Sequence, residues 1–129
     1  MVTFCCLTRY ASNQKASENW LKSHGVDYKK ILFSEMSDFD FKLLLSKTDN
    51  GLYDIIKGSS AGTLFLEKIT KENLNLTECV DLIRKNPKYL KSPLLFDDKH
   101  FLSGYDENEI RMFVSRDVRN NWITSKLIA

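Results

Sequence analysis

The side chains able to do chemistry in this chain are few and scattered: three cysteines (Cys5, Cys6 and Cys79), two histidines (His24 and His100), and carboxylates at Asp38, Asp40, Asp106 and Glu109. A thiol acts as nucleophile or redox partner only as the thiolate, which calls for an exposed, electropositive setting. Cys5 and Cys6 instead fall inside Val2 to Leu7, an apolar, β-favouring run. Neighbours on a strand point to opposite faces, so these two are poor partners for a mutual disulfide, and all three cysteines read as buried structural thiols. The histidines lie far apart with no Cys, Asp or Glu set at ligand spacing, so no metal and no cofactor is expected. The four carboxylates stand where helices begin and read as helix-start charges rather than an acid–base pair.

With 19 basic and 17 acidic side chains the net charge is +2, too balanced for a domain that grips nucleic acid unaided. The 43% hydrophobic and 28% charged fractions fit a globular protein and predict one domain over residues 1–129. No signal or transit peptide and no apolar run of about 18 residues is visible, which points to the cytoplasm and away from a membrane.

The elements that must position these groups follow from periodicity. Val2 to Leu7 is a central strand, Thr8 to Ala11 a turn, and from Ser12, a capping residue type, a helix carries Ala16, Trp20 and Leu21 on one face and ends at Gly25. Val26 to Phe33 is a second strand, so the unit predicts a parallel crossover. Ser37 to Asp40 opens a helix with Phe39, Leu43 and Leu44 at helical spacing; Thr48 to Gly51 breaks it, and Leu52 to Lys57 forms a short one. Gly58 to Gly62 reads as a loop, and Leu76, Cys79, Val80 and Ile83 as an amphipathic helix ending before Pro87. Residues of about 37–91 are thus a largely helical insertion. Leu94 to Phe96 and His100 to Leu102 form a hairpin around Asp97 to Lys99, and Asp106 and Glu109 cap a last helix with Ile110, Phe113 and Val114 inside. Trp20, Phe39, Phe41 and Phe113 read as core, and about 120–129 as a mobile tail.

This order resembles the arsenate reductase (ArsC) branch of the thioredoxin fold, an α/β class with a mixed four-stranded sheet, flanking helices and a helical insertion. Within that branch the sequence is most similar to the Spx transcription regulators of low-GC Gram-positive bacteria. The matching pieces are MVTF at the start, Phe33 to Glu35, the Thr48 to Gly51 turn with Asp54, Ile55 and Ile56, the Pro93 strand, and GYDENEIRMFVSRDVR from Gly104 to Arg119.

The resemblance implies a regulator, not an enzyme, that binds the C-terminal domain of the RNA polymerase alpha subunit, touches promoter DNA only with polymerase, and is a monomer when free. The family's switch is a pair of cysteines after the first strand; here those positions are Tyr10 and Asn13, which cannot form a disulfide. The branch's anion-binding arginines correspond to Ser59 and Ser92, which lack the charge and the planar fork that grip an oxyanion. Partner contacts carried over from the family fall on Tyr10, Ser46, Lys47, Gly51, Leu52 and Ser59, with Ser46 where a basic residue is expected. Gly51 also reads as a plain turn glycine at positive φ. Family likeness would make Ser92–Pro93 cis, whereas an isolated X–Pro bond favours trans. Arg84, Lys85, Lys88 and Lys91 read either as cations at a helix C-terminus or as a patch beside promoter DNA. The ending Leu127, Ile128 and Ala129 resembles the tails that the ClpXP protease reads. The alternative is a thioredoxin-fold oxidoreductase or arsenate-reductase-like protein working from Cys5 or Cys6.

Overall fold

Strand β1 (Val2–Cys6) pairs parallel with β2 (Tyr28–Leu32) on one side and antiparallel with β3 (Leu94–Phe96) on the other, and β3 carries β4 (Phe101–Ser103) at the far edge. The computed structural model describes residues 1–9 and 11–114, and within them the sheet runs β2-β1-β3-β4. Because β1 is central, its alternating side chains feed two cores. Val2, Phe4 and Cys6 pack with Trp20, Leu21, Leu95 and Leu102, while Cys5 points the other way to Phe33, Phe41, Leu44, Ile83 and Leu94. The mixed sheet with flanking helices is the fold that the residue pattern and the family likeness predicted.

Helix α1 (Lys15–Ser23) returns the chain from β1 to β2. Its exit follows expectation: Gly25, at φ +66°, donates its N–H to Lys22 O at 3.2 Å, and Val26 donates to Leu21 O at 2.9 Å, closing the last turn. Its entrance does not. Ser12 lies inside a 3-10 turn, Ser12–Gln14, that precedes the helix, so its hydroxyl is displaced from the cap and no side chain caps either piece. Trp20 and Leu21 are buried as expected, but Ala16 is exposed and the buried Gln14 and Ser17 take the inner positions.

Helices α2 (Asp38–Ser46), α3 (Leu52–Ile55), α4 (Ser60–Lys71) and α5 (Leu76–Lys85) lie between β2 and β3. Ser37 caps α2 reciprocally with Asp40, at 3.1 and 2.9 Å. The face that α2 buries is Phe41 and Leu44, whereas Phe39 is 70% exposed and Leu43 also faces out. Several apolar stripes are available on this helix, and packing of Phe41 and Leu44 into the core that includes Val80 and Ile83 of α5 selects the one that turns inward. Full burial of Phe41 stabilises by about 2 kcal/mol. The stretch Gly58 to Gly62, read as a loop, starts α4 instead: Ser59 Oγ accepts the Gly62 N–H at 3.2 Å, and an added Cβ on Gly62 would lie 2.1 Å from the Lys57 carbonyl oxygen. In α5, Asn75 and Glu78 form a capping box, Cys79, Val80 and Ile83 are buried, and Leu76 is exposed beyond the core's edge.

The β3–β4 hairpin is present, its turn held by Asp97 Oδ1, which accepts the N–H groups of Lys99 and His100 at 2.9 and 2.7 Å. Asp106 accepts the Asn108 and Glu109 N–H groups at 2.8 and 3.0 Å. The expected last helix is, within the described residues, only a 3-10 turn, Glu109–Phe113, and Val114 is already extended. Ile110 and Val114 are nonetheless buried and Phe113 is half-buried, so the inward set was read correctly while its helical form was not. Among the described residues no helix is long and apolar enough to cross a membrane.

Candidate functional site

The end of β1, the entry to α1 and the segment before β3 meet at one junction. Ser92–Pro93 is a cis peptide bond there, as the family likeness implied and the bare base rate did not. Ser92 is held through two of its polar atoms: its hydroxyl accepts the Leu7 N–H at 3.1 Å, and its carbonyl accepts the Asn13 side-chain amide at 3.1 Å. Gln14, fully buried, donates its amide to Thr8 O at 2.8 Å and so pins the intervening turn from inside. Pro93 O in turn accepts the Gly104 N–H at 2.8 Å, tying the junction to the end of β4.

Charge surrounds the turn in compensated pairs. Arg9 meets both oxygens of Glu35 at 3.2 and 3.1 Å, and Glu35 also accepts the Leu32 N–H at 3.0 Å. Lys30 bonds the Arg9 carbonyl and pairs with Glu18 at 3.0 Å, while Tyr28 donates its hydroxyl to Glu18 at 2.9 Å. Arg9 is thus already paired with a carboxylate.

The thiols sit apart from this surface. Cys5 and Cys6 are both 0% exposed on opposite faces of β1, and Cys79 is buried on α5; all three are free. Burial, with Cys6 and Asp40 adding to it, pushes the Cys5 thiol up to about 12. Burial also raises Cys6, against the opposing charge of Lys30, and raises Cys79. A thiol held protonated in a core is a poor nucleophile.

The positions singled out in the sequence fall into two groups. Asn13 and Ser92 are brought into direct contact. Ser59 is the cap of α4, and among the described residues no hydrogen bond joins it to either. Tyr10, Leu127, Ile128 and Ala129 lie outside the described residues. Ser46, Lys47, Gly51 and Leu52 form the end of α2 and the start of α3. Ser46 donates to Leu43 O at 2.6 Å, and Lys47 Nζ reaches Asp98 O at 2.7 Å, linking α2 to the hairpin turn. Gly51 sits at φ +60°, ψ −125°, a conformation that side chains other than glycine's resist, and a Cβ there would meet nothing within 4 Å. Leu52 packs partly against the larger core. Beside this segment an open cleft of about 410 Å³ separates the α2–α3 turn from the hairpin, with Asp49, Asp54, His100 and Glu109 on its walls. His100 is engaged with Asp97 at 3.0 Å, and among the described residues no group of three or more His, Cys, Asp or Glu is placed to hold a metal.

Sequence reasoning missed Leu7, Arg9, Gln14 and Glu35. Little local marks them: the bonds of Leu7 and Arg9, and that of Glu35 to Arg9, join segments far apart in the chain, and Gln14 has the residue type of a surface position.

The family model for the ArsC family matches residues 5–113 of this chain. The global transcriptional regulator Spx of Streptococcus pyogenes serotype M1 is 39% identical over 121 residues, covering 92% of this chain and 89% of that protein. Global transcriptional regulator Spx 1 of Lactococcus lactis subsp. lactis is 37% identical over 103 residues, covering 78% of this chain and 79% of its own. Among solved structures, a Staphylococcus aureus protein determined by NMR superposes with a TM-score of 0.66 at 19% identity, covering 87% of this chain and 97% of that one. An arsenate reductase from Vibrio cholerae superposes with a TM-score of 0.60 at 11% identity, covering 88% and 94%. At those identities the two structures speak for the fold alone.

Proposed function

The chain belongs to the ArsC family, and on that premise we propose that it is an Spx-like transcription regulator that binds the C-terminal domain of the RNA polymerase alpha subunit and alters promoter choice without a thiol–disulfide switch. The observation that supports the loss of the switch is the bond from Asn13 to the Ser92 carbonyl. Where the family has its second switch cysteine, this chain has a carboxamide that fastens the α1 entry to the segment before β3, and neither group is oxidised or reduced under cellular conditions. The regulator relatives support the role; the tied junction and Tyr10 support its independence from redox state. Activity then follows abundance.

Enzymatic thiol chemistry finds little support. Cys5 is fully buried and its thiol is pushed up to about 12, so neither an oxidoreductase nor an arsenate reductase cycle starting there is favoured. Ser59 Oγ accepts the Gly62 N–H and Ser92 Oγ the Leu7 N–H, and neither hydroxyl supplies the charge or the planar fork with which an arginine grips an oxyanion.

The alpha-subunit contact is assigned to Tyr10, Ser46, Lys47, Gly51, Leu52 and Ser59, with Gly51 as the point of close backbone approach. Calorimetric titration of the chain against the isolated alpha C-terminal domain, with and without reductant, tests it. Binding near the micromolar range, about −8 kcal/mol, and unchanged by reductant is the expected result. Gly51→Arg alone is an ambiguous probe, because φ +60° strains any side chain; Gly51→Ala carries the same strain without the bulk. Binding lost in the arginine variant but kept in the alanine one supports the contact, and absence of binding by the unaltered chain overturns the reading. The tail Leu127-Ile128-Ala129 is proposed as a ClpXP degradation signal, and an unchanged cellular half-life after Ile128→Asp and Ala129→Asp would refute it.

A further inference from the structure

Asn50-Gly51 is the one Asn-Gly pair in the sequence, and it stands in the exposed turn between α2 and α3. Asn50 is exposed, and its side-chain amide makes a single contact, 3.5 Å to Asp54 Oδ1, at the outer limit of a hydrogen bond. Its backbone is firmer: Asn50 N–H donates to Asp54 Oδ2 at 2.9 Å, and Asp54 N–H to Gly51 O at 3.1 Å. The Gly51 N–H makes no hydrogen bond among the described residues, and the space where a Cβ would stand is open. A nitrogen flanked by no side chain and engaged by no acceptor can be approached by the carboxamide of the residue before it. Two asparagines elsewhere among the described residues are engaged differently. Asn75 Oδ1 holds the Glu78 N–H at 2.8 Å, and Asn86 donates to Leu82 O at 2.9 Å and precedes a proline, which has no N–H.

We propose that Asn50 is a site of spontaneous deamidation through Gly51, and that the product alters the partner-binding segment as the protein ages. The Gly51 backbone nitrogen, deprotonated by hydroxide or a general base in solution, attacks Cγ of Asn50. A bond from that nitrogen to Cγ forms, the bond from Cγ to Nδ2 breaks, and ammonia leaves, closing a cyclic imide. Water then opens the imide at either carbonyl, giving aspartate or isoaspartate; nothing is oxidised or reduced. Isoaspartate adds a methylene to the backbone immediately before Gly51. It also places a new carboxylate against Asp54, whose Oδ1 the Asn50 amide meets at 3.5 Å, where like charges repel. The chemistry stands by itself, whereas its effect on binding rests on the function proposed above.

The test ages the full-length folded protein at mildly alkaline and mildly acidic pH and follows each asparagine by peptide mapping and isoaspartyl methyltransferase labelling. The peptide holding Asn50 is expected to convert ahead of the others, with isoaspartate in excess, severalfold faster at alkaline pH, and Asn50→Ser is expected to be silent there. Persistence of Asn50 in the folded chain while the urea-unfolded chain converts would overturn the proposal, as would a product that is wholly aspartate. Fresh and aged samples are then titrated against the alpha C-terminal domain. Weaker binding by the aged sample supports the ageing effect, and equal binding overturns that part. If the fresh protein fails to bind, the regulator reading falls while the deamidation result is read from mass alone.

Discussion

Replacing Asn13 by alanine removes the amide that reaches the Ser92 carbonyl at 3.1 Å and touches neither β1 nor the core. Asn13 is exposed, so water re-solvates the freed carbonyl, and the loss is that of one ordinary hydrogen bond, about 1 kcal/mol. Ser92→Ala removes the hydroxyl that accepts the Leu7 N–H at 3.1 Å, for about the same amount. The two bonds use different atoms of Ser92 but belong to residues in contact, which couple, so the double variant is expected to lose between ~1 and ~2 kcal/mol, with ~4 °C of melting temperature per kcal/mol for a domain of this size. Asn13→Asp supplies a sharper signature. Its carboxylate faces the Ser92 carbonyl, acceptor against acceptor, so the same bond is lost, about 1 kcal/mol, and the folded-state pKa of the new acid rises above its unfolded value. The native state then binds the extra proton, so the deficit is full above the folded pKa and shrinks as pH falls through it, when the protonated acid can donate. Urea unfolding across pH, with and without reductant, measures all of this. Were the alanine and aspartate variants to unfold at the wild-type midpoint at every pH, the tied junction would be refuted, while the absence of thiols at positions 10 and 13 would stand.

Gly62→Ala sets helix propensity against sterics. Alanine gains about 1 kcal/mol in a helix, but its Cβ would stand 2.1 Å from the Lys57 carbonyl oxygen; a net loss of about 2 kcal/mol is expected in urea unfolding, and a neutral or stabilised variant would contradict the packing. Thiol labelling of the native protein is expected to be slow at Cys5, whose thiol burial pushes up to about 12, and rapid in denaturant; fast native labelling would revive the thiol-enzyme alternative. Burial acts to raise the Asp97 carboxyl, but hydrogen bonds from the Lys99 and His100 backbone and the His100 ring outweigh it and hold it below its ordinary value. A depressed acid contributes stability that is present above its unfolded pKa and lost as pH falls through the folded one. Asp97→Asn is therefore expected to flatten the acid limb of the stability profile, and an unaltered limb would argue against the hairpin charge.

Periodicity and punctuation made much of the fold legible. An apolar run of strand length declared β1 as a strand buried on both faces, Gly25 marked the end of α1, Ser37 with Asp40 marked the start of α2, and the polar Asp97 to Lys99 turn marked the hairpin. Each of these signals acts within a few residues, which is why composition and spacing can carry it. The start of α4 was hidden because its small residues resemble a loop until Ser59 caps Gly62 and Gly62 meets the Lys57 carbonyl. The inner face of α2 was hidden because Phe39, Phe41, Leu43 and Leu44 offer competing stripes, and contact with α5 chooses among them.

At the site the division is the same. The sequence by itself determined that Tyr10 and Asn13 cannot make a disulfide, because no thiol stands there, and that Cys5 and Cys6 face opposite ways, because strand geometry alternates. Only the tertiary structure decided what Asn13 does instead. Its partner, Ser92, is 79 residues away, and no local preference encodes a bond that forms only when β1, α1 and the segment before β3 have converged.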